Sequence, residues 1–235
     1  MPYETGAPVR PELGHRRESE DKLPSTLDHI AIIAPSLKDG MVWVRDCLGL
    51  VPPMGGAHPQ MGTHNMLLRL GPDFFLEIIA VDPNAPKPPH ARWFGLDERD
   101  TLHEHWNAGR RLRGMVARTE RLDEMAALAP DLLGTPMRVT RGERAWRFAV
   151  RPDGRLPLDG AVPHLMDWGE QGPAAPKLPD LGCTLLELVL ETPAPAAVEG
   201  VHTRIGLARA PKLRVGPHQK LMAAIETPTG VHILT

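Results

Sequence analysis

The sequence predicts an α+β protein assembled from repeated units of strand, helix and further strands, and three observations carry that prediction. LDHIAIIAP at Leu27–Pro35 and LLELVLETP at Leu185–Pro193 share one pattern, an apolar strand running into a proline-marked helix start. A second landmark, Leu48-Gly49-Leu50, recurs as Ile205-Gly206-Leu207, and self-similarity at this scale marks paired supersecondary units. The third observation is chemical. Each copy holds a metal-capable side chain in mid-strand, His29 in one and Glu187 in the other, where an ionisable group is costly to bury without a partner.

The first unit reads almost residue by residue. Leu27–Ala34 is β-rich and mostly apolar, as a strand buried on both faces should be. Ser36 then offers a helix N-cap with Asp39 three residues on, Leu37, Met41, Val44 and Leu48 recur at helical spacing, and Gly49 supplies a left-handed stop. Beyond Pro52-Pro53 and Gly55-Gly56, His64–Leu70, the turn Gly71-Pro72-Asp73 and Phe74–Ala80 form a hairpin pattern. The same order returns late in the chain, with a strand at Cys183–Glu191, a helix at Ala197–Leu207, and strands Leu221–Glu226 and Val231–Leu234 around Thr227-Pro228-Thr229-Gly230. A fainter copy lies between them. It comprises Leu112–Thr119, a short helix at Leu122–Ala129, and strands at Arg144–Val150 and Ala161–Trp168; aligning Leu122 with Leu37 puts Gly114 where the first copy has His29.

The expected organisation is a loose extension over 1–25, a first module over 26–82, a proline-rich connection over 83–110, a degenerate second module over 111–170 and a third over 180–235, packed as one compact unit. Which module faces the first is open at this level. The 235 residues, 42% of them hydrophobic, suffice for a full core. A net charge of −2, with no basic block beside interleaved aromatics, gives no electrostatic case for nucleic acid. Cys47 and Cys183 lack metal-ligand spacing and read as two reduced thiols, which suits a cytoplasmic protein. Arg10, Arg16 and Arg17 are followed by no apolar run, so neither a signal peptide nor a membrane partner is expected. No phosphate-binding glycine loop or serine nucleophile elbow is present.

Taken together, LDHIAIIAP, CLGL, GGAHP, GTHN, LEIIA, RWFGLD and PHLMDWG resemble the glyoxalase-like branch of the vicinal oxygen chelate superfamily, which includes bleomycin-resistance proteins and extradiol dioxygenases. The resemblance runs from about Leu27 to Thr235. It implies βαβββ modules whose curved mixed sheets form a cup or half-barrel, in many members holding a divalent metal (Zn, Ni, Mn or Fe) that chelates adjacent substrate oxygens. The implied activity is that of a small-molecule isomerase or lyase. A metal-free ligand-binding protein and an extradiol-type dioxygenase are the alternatives, because the fold hosts all three. A homodimer that completes the cup across subunits is a further expectation of the resemblance.

His29 and Glu77 match family ligand positions. Strand alternation groups His29 with Leu27 and Ala31, and Glu77 with Phe75 and Ile79, so each polar group stands in an apolar row. Glu187, His232 and His164 compete to complete a metal set, Glu187 aligning with His29 and His232 with Glu77. Glu77, His64 and His58 are the candidates for proton transfer. Either His64 or Asn65 faces the cup, depending on hairpin register, and Asn65, Phe75 and Trp93, the last on the long connection, are the expected substrate contacts. His103-Glu104-His105 is set aside, because residues two apart on a helix do not share a face.

Overall fold

A computed structural model describes residues 24–235, so nearly all of the extension expected over 1–25 lies outside the described residues. The elements, in order, are β1 (Ser25–Ile33), α1 (Leu37–Leu48), β2 (Met54–His58), β3 (Thr63–Arg69), β4 (Phe75–Val81), α2 (Arg99–Asn107), β5 (Leu112–Arg118), α3 (Leu122–Leu128), α4 (Pro130–Leu133), β6 (Thr135–Arg141), β7 (Arg144–Val150) and β8 (His164–Asp167). They are followed by β9 (Thr184–Thr192), α5 (Pro195–Arg204), β10 (Leu207–Ala208), β11 (Lys212–Val215), β12 (Lys220–Thr227) and β13 (Gly230–Leu234).

Local chemistry fixes the first unit as expected. Ser36 caps α1 by accepting the Asp39 amide at 3.1 Å, and Gly49 ends the helix in the left-handed region at φ 73°. Leu37, Val44 and Leu48 are the buried stripe of α1, each contributing about 1.5–3 kcal/mol by leaving water. At Gly40 the helix comes so close to β4 that an added Cβ would lie 2.4 Å from Ile78 Cγ2.

Two βαβββ units build one curved sheet in the order β2-β3-β4-β1-β5-β8-β7-β6, with the short β10 also pairing β1. In each unit the first strand runs parallel to the fourth, β1 beside β4 and β5 beside β8. The antiparallel pair β1–β5 joins the halves. The sheet curls until its two edges approach: Gln60, just past β2, donates to Thr140 Oγ1 on β6 at 2.6 Å and accepts the Thr140 amide at 3.3 Å. The result is a nearly closed cup.

The last unit is different. β9 lies between β11 and β12 in a separate four-stranded sheet, parallel to β11 and antiparallel to β12. The similar strand-to-helix sentence at Leu185 therefore does not produce a copy of the first unit, and the structural counterpart of that unit is the fainter middle one. The second sheet serves as a cover. Leu188, Leu190, Leu221, Ile225 and Leu234 join Ile30, Ile32, Leu76 and Ile78 in one apolar cluster on the outer face of the cup, while Ala31, Ile33, Phe75, Ile79, Phe94 and Phe148 belong to the cluster inside it. The connection after β4 is not bare loop, since it contains α2. Trp93 and Phe94, on the same connection, are each only 2% exposed.

Candidate active site in the cup

The site begins with an irregularity in β1. Leu27 lies opposite Ala117 and His29 opposite Val116, so Asp28 is an extra residue bulged out of the ladder. A bulge re-aims the side chains beside it. It changes the expected grouping, for Leu27 packs in the outer cluster with Ile30 and Ile32 rather than on the face of His29. It also brings Asp28 beside His29: the imidazole Nδ1–H donates to Asp28 Oδ1 at 2.8 Å. Asp28, fully buried, further accepts from Trp168 Nε1 at 3.0 Å and pairs with Arg118 at 3.1 Å.

The parallel register of β1 and β4 does the rest. His29 lies opposite Phe75, their rings stacked at 4.3 Å, and Ala31 lies opposite Glu77. This puts His29 Nε2 at 3.4 Å from Glu77 Oε2, with both side chains under a tenth exposed. From β3, Asn65 donates to Glu77 Oε1 at 2.6 Å, and its amide also reaches His58 Nε2 at 3.4 Å. His58 Nδ1 in turn meets Thr63 Oγ1 at 3.0 Å. The pattern makes His58 neutral with its proton on Nδ1. A continuous buried network thus runs from Thr63 through His58, Asn65, Glu77 and His29 to Asp28.

Charge follows from this network. Burial opposes a charged His29, yet the hydrogen bonds from Asp28 and Glu77 and their negative charges outweigh it and raise the ring to about 9. Burial likewise opposes an ionised Glu77, but His29 and the Asn65 amide hold the carboxyl below its usual range. His58 is driven the other way, down to about 4, by burial and then by the positive charge of Arg141. The walls are aromatic: Trp93 and Trp146 set their ring faces at steep angles to His58, and Phe75, Phe148 and Trp168 complete a partly open cavity of about 30 Å³. That is room for water rather than for a large ligand.

The second unit should mirror the first, and the register shows what stands in its place. Ala31, the next residue on His29's face, lies opposite Glu77; Val116, the next on Gly114's face, lies opposite His164. Gly114 and His164 are therefore the counterparts of His29 and Glu77. A Cβ at Gly114 would come within 3.1 Å of the Phe94 ring, so that ring fills the space of the absent side chain. Phe94 holds this place at φ 58°, a left-handed conformation uncommon for a bulky residue, and its edge meets His164 at 5.0 Å between centroids. His164 is fully buried, lowered to about 3 chiefly by burial, and neither ring nitrogen makes a hydrogen bond of ordinary geometry, although the Ala149 backbone lies near. Phe94 separates it from the cup.

The other expected site residues divide cleanly. Glu77, His29, His58, Asn65, Phe75 and Trp93 all line the cavity. His64 does not: Thr63 and Asn65 face inward, so alternation turns His64 to the opposite face of β3. Glu187 and His232 are also corrected, because the sheet that carries them covers the outside of the cup. Glu187 pairs with Lys212 on β11, and His232 meets Thr229 Oγ1 at 3.2 Å. Asp28, Arg141, Trp146 and Trp168 were not anticipated. The sequence signal for Asp28 was an unpartnered carboxylate inside an otherwise apolar strand.

Residues 27–206 match a family model described as a glyoxalase-like domain. The chain belongs to the glyoxalase-like domain family. The match spans both βαβββ units and reaches α5, which agrees with the vicinal oxygen chelate architecture of two such units edge to edge. No curated protein matches the chain. Among solved structures, a hypothetical protein from Staphylococcus aureus aligns at TM-score 0.58 and 10% identity, covering 90% of this chain and 98% of that one. Methylmalonyl-CoA epimerase from Mycobacterium tuberculosis aligns at TM-score 0.39 and 16% identity, covering 62% of this chain and 89% of that one. For this glyoxalase-like chain, a divalent metal would find His29 and Glu77, with Asp28 orienting the imidazole from behind as an outer partner should. It would find no ligand at Gly114, and His164 lies behind Phe94. Among the described residues no three His, Cys, Asp or Glu side chains form a metal-holding group, so the residues present do not fit a closed metal cage.

Proposed function

We propose that this glyoxalase-like protein is a small-molecule enzyme of isomerase or lyase type, moving a proton at a carbon next to an oxygen function, with Glu77 as the base. The observation that carries the reading is the meeting of a buried, ionised Glu77 with His29 inside an aromatic-walled cavity. Their 3.4 Å separation is longer than a charge-assisted hydrogen bond of about 2.7–2.9 Å, which suits a pair that exchanges its mutual contact for a substrate oxygen. His29, fixed by Asp28, would donate from Nε2 to the oxygen on which negative charge develops. Glu77, steadied by Asn65, would take the proton from carbon. Among the described residues no group of three metal-capable side chains stands in the cup, and the steps above use the chain's own groups.

Incubating the protein with 2-hydroxy and 2-oxo carbonyl compounds in D2O tests this directly. Wild-type protein should wash deuterium into the carbon beside the oxygen, and Glu77→Gln should slow that exchange by about 10²–10⁴-fold while keeping a cooperative melt. Exchange equal in the two proteins would remove Glu77 as the base. A second reading, a metal-free ligand-binding protein, is favoured by Gly114 and by the Phe94 ring over it; it predicts saturable binding without exchange and a melting temperature indifferent to chelator.

A further inference from the structure

Charge accounting in the cup leaves one cation over. Asp28 is matched by Arg118 at 3.1 Å and Glu77 by His29 at 3.4 Å. Arg141, at the end of β6, also lines the cavity, yet among the described residues its guanidinium pairs with no carboxylate. Its one hydrogen bond is from Nη1 to the neutral Asn65 Oδ1 at 3.3 Å, and a guanidinium carries five donors. Of the other arginines near the site, Arg92 is paired with Asp97, Arg113 with Asp159 and Arg118 with two aspartates, while Arg144, outside the cavity lining, donates to the Gly172 carbonyl at 2.7 Å.

Arg141 is also held in place. It comes from the second unit and crosses the seam between the sheet edges, passing over Gly56 of β2, where a Cβ would lie 3.0 Å from both its Cγ and its Cδ. The guanidinium then stands 5.8 Å from the Trp146 ring centroid; Trp146 packs on Trp168 at 5.5 Å, and Arg144 lies over the far tryptophan at 5.0 Å. This alternation of cations and rings fixes the side chain with most of its donors unspent. Burial pulls the guanidinium below its usual range, with Glu77 opposing and Arg144 adding to the effect.

We propose that Arg141 is the anion-recognition residue of the cup, and that the ligand class is a compact carboxylate whose apolar body lies against the tryptophan and phenylalanine walls. The carboxylate would take the free donors of Arg141 at the seam, which leaves the carbon next to it directed toward Glu77 and His29. Arginine suits the role because its planar fork matches a carboxylate in two parallel hydrogen bonds. This inference rests on the cup being the small-molecule site, as proposed above, and deepens that reading by naming the substrate class.

Trp93, Trp146 and Trp168 line the cavity, so ligand entry is readable by tryptophan fluorescence without any turnover. The probes are glycolate and lactate, each titrated beside its neutral amide, glycolamide and lactamide. Wild-type protein should bind the better acid at least about tenfold more tightly than its amide. Arg141→Gln should erase that preference by weakening acid binding far more than amide binding, and Arg141→Lys should restore part of it; a thermal melt of both variants reports that they fold. Equal binding of acid and amide by wild-type protein, or acid binding unaltered in Arg141→Gln, overturns the role of Arg141 but leaves the cup as a ligand site. Absence of any fluorescence response to all four probes overturns both readings together.

Discussion

At the scale of single residues, the site is an arrangement of opposed penalties. A buried carboxylate or imidazolium alone would lose its charge to desolvation, but each here is offset by a neighbour: His29 lies between Asp28 and Glu77, and Glu77 between His29 and Asn65. The folded-state pKa of His29 is raised from 6.5 to about 9, so its charge contributes stability fully below pH 6.5 and loses that contribution as pH rises through about 9. The depressed Glu77 acts at the other end, contributing above its ordinary 4.5 and losing that contribution as pH falls through its lower folded value. Urea unfolding of wild type and His29→Gln across pH should therefore show the largest gap between about pH 5 and 6.5, closing steadily toward pH 9 and above. A gap that stays constant from pH 6 to 10 would mean that His29 is neutral in the folded protein. His58 has the opposite linkage: its folded value is lowered to about 4, so it costs stability as pH falls below its ordinary 6.5, and because both proteins carry it this slope cancels in the gap.

Elements decide which of these residues can meet, and here the sequence was legible to different depths. Caps and periodicity gave α1 from Ser36 to Gly49, and hairpin chemistry gave β3 and β4, because those signals are local. The inward choice of Asn65 over His64 depended on register, and the bulge at Asp28 on pairing with a strand far along the chain; neither is a local property. Arg141 escaped notice for the same reason, since it lies in a charged turn and reaches the cup only when the sheet curls. The seat of α1 is a further long-range fact, carried by Gly40. Gly40→Ala would gain up to about 1 kcal/mol of helix propensity, but its Cβ would lie 2.4 Å from Ile78 Cγ2 and 3.0 Å from Ala34 Cβ, and overpacking a tight core costs typically about 1–3 kcal/mol. The clash outweighs the propensity gain, so Gly40→Ala should lower unfolding free energy by about 1–2 kcal/mol in a denaturant titration. A variant as stable as wild type would show that α1 does not lie this close to β4.

Across the whole molecule, the repeat read from the sequence and the repeat built in space are not the same pair. LDHIAIIAP and LLELVLETP look alike because each is an apolar strand followed by a helix start, a pattern that burial alone imposes; pairing order separates them, β1 lying parallel to β4 and β9 antiparallel to β12. The middle unit diverged in its residues, Gly114 for an imidazole and Phe94 over the gap, while keeping the strand order. The last sheet has another task, closing the outer face where Ile30, Ile32, Leu76 and Ile78 would otherwise meet water. The six large side chains it and α5 bring, Leu188, Leu190, Val198, Leu221, Ile225 and Leu234, are worth together on the order of 10 kcal/mol or more at about 1.5–3 kcal/mol each. That equals the whole net stability of an ordinary domain, about 5–15 kcal/mol. A chain ending at Asp180 should then bind a hydrophobic dye strongly and melt without a cooperative transition, although both βαβββ units and every cavity-lining residue are retained. If that shortened chain instead melts cooperatively near the full-length temperature, the two units form a self-sufficient core and the last sheet is an accessory to them.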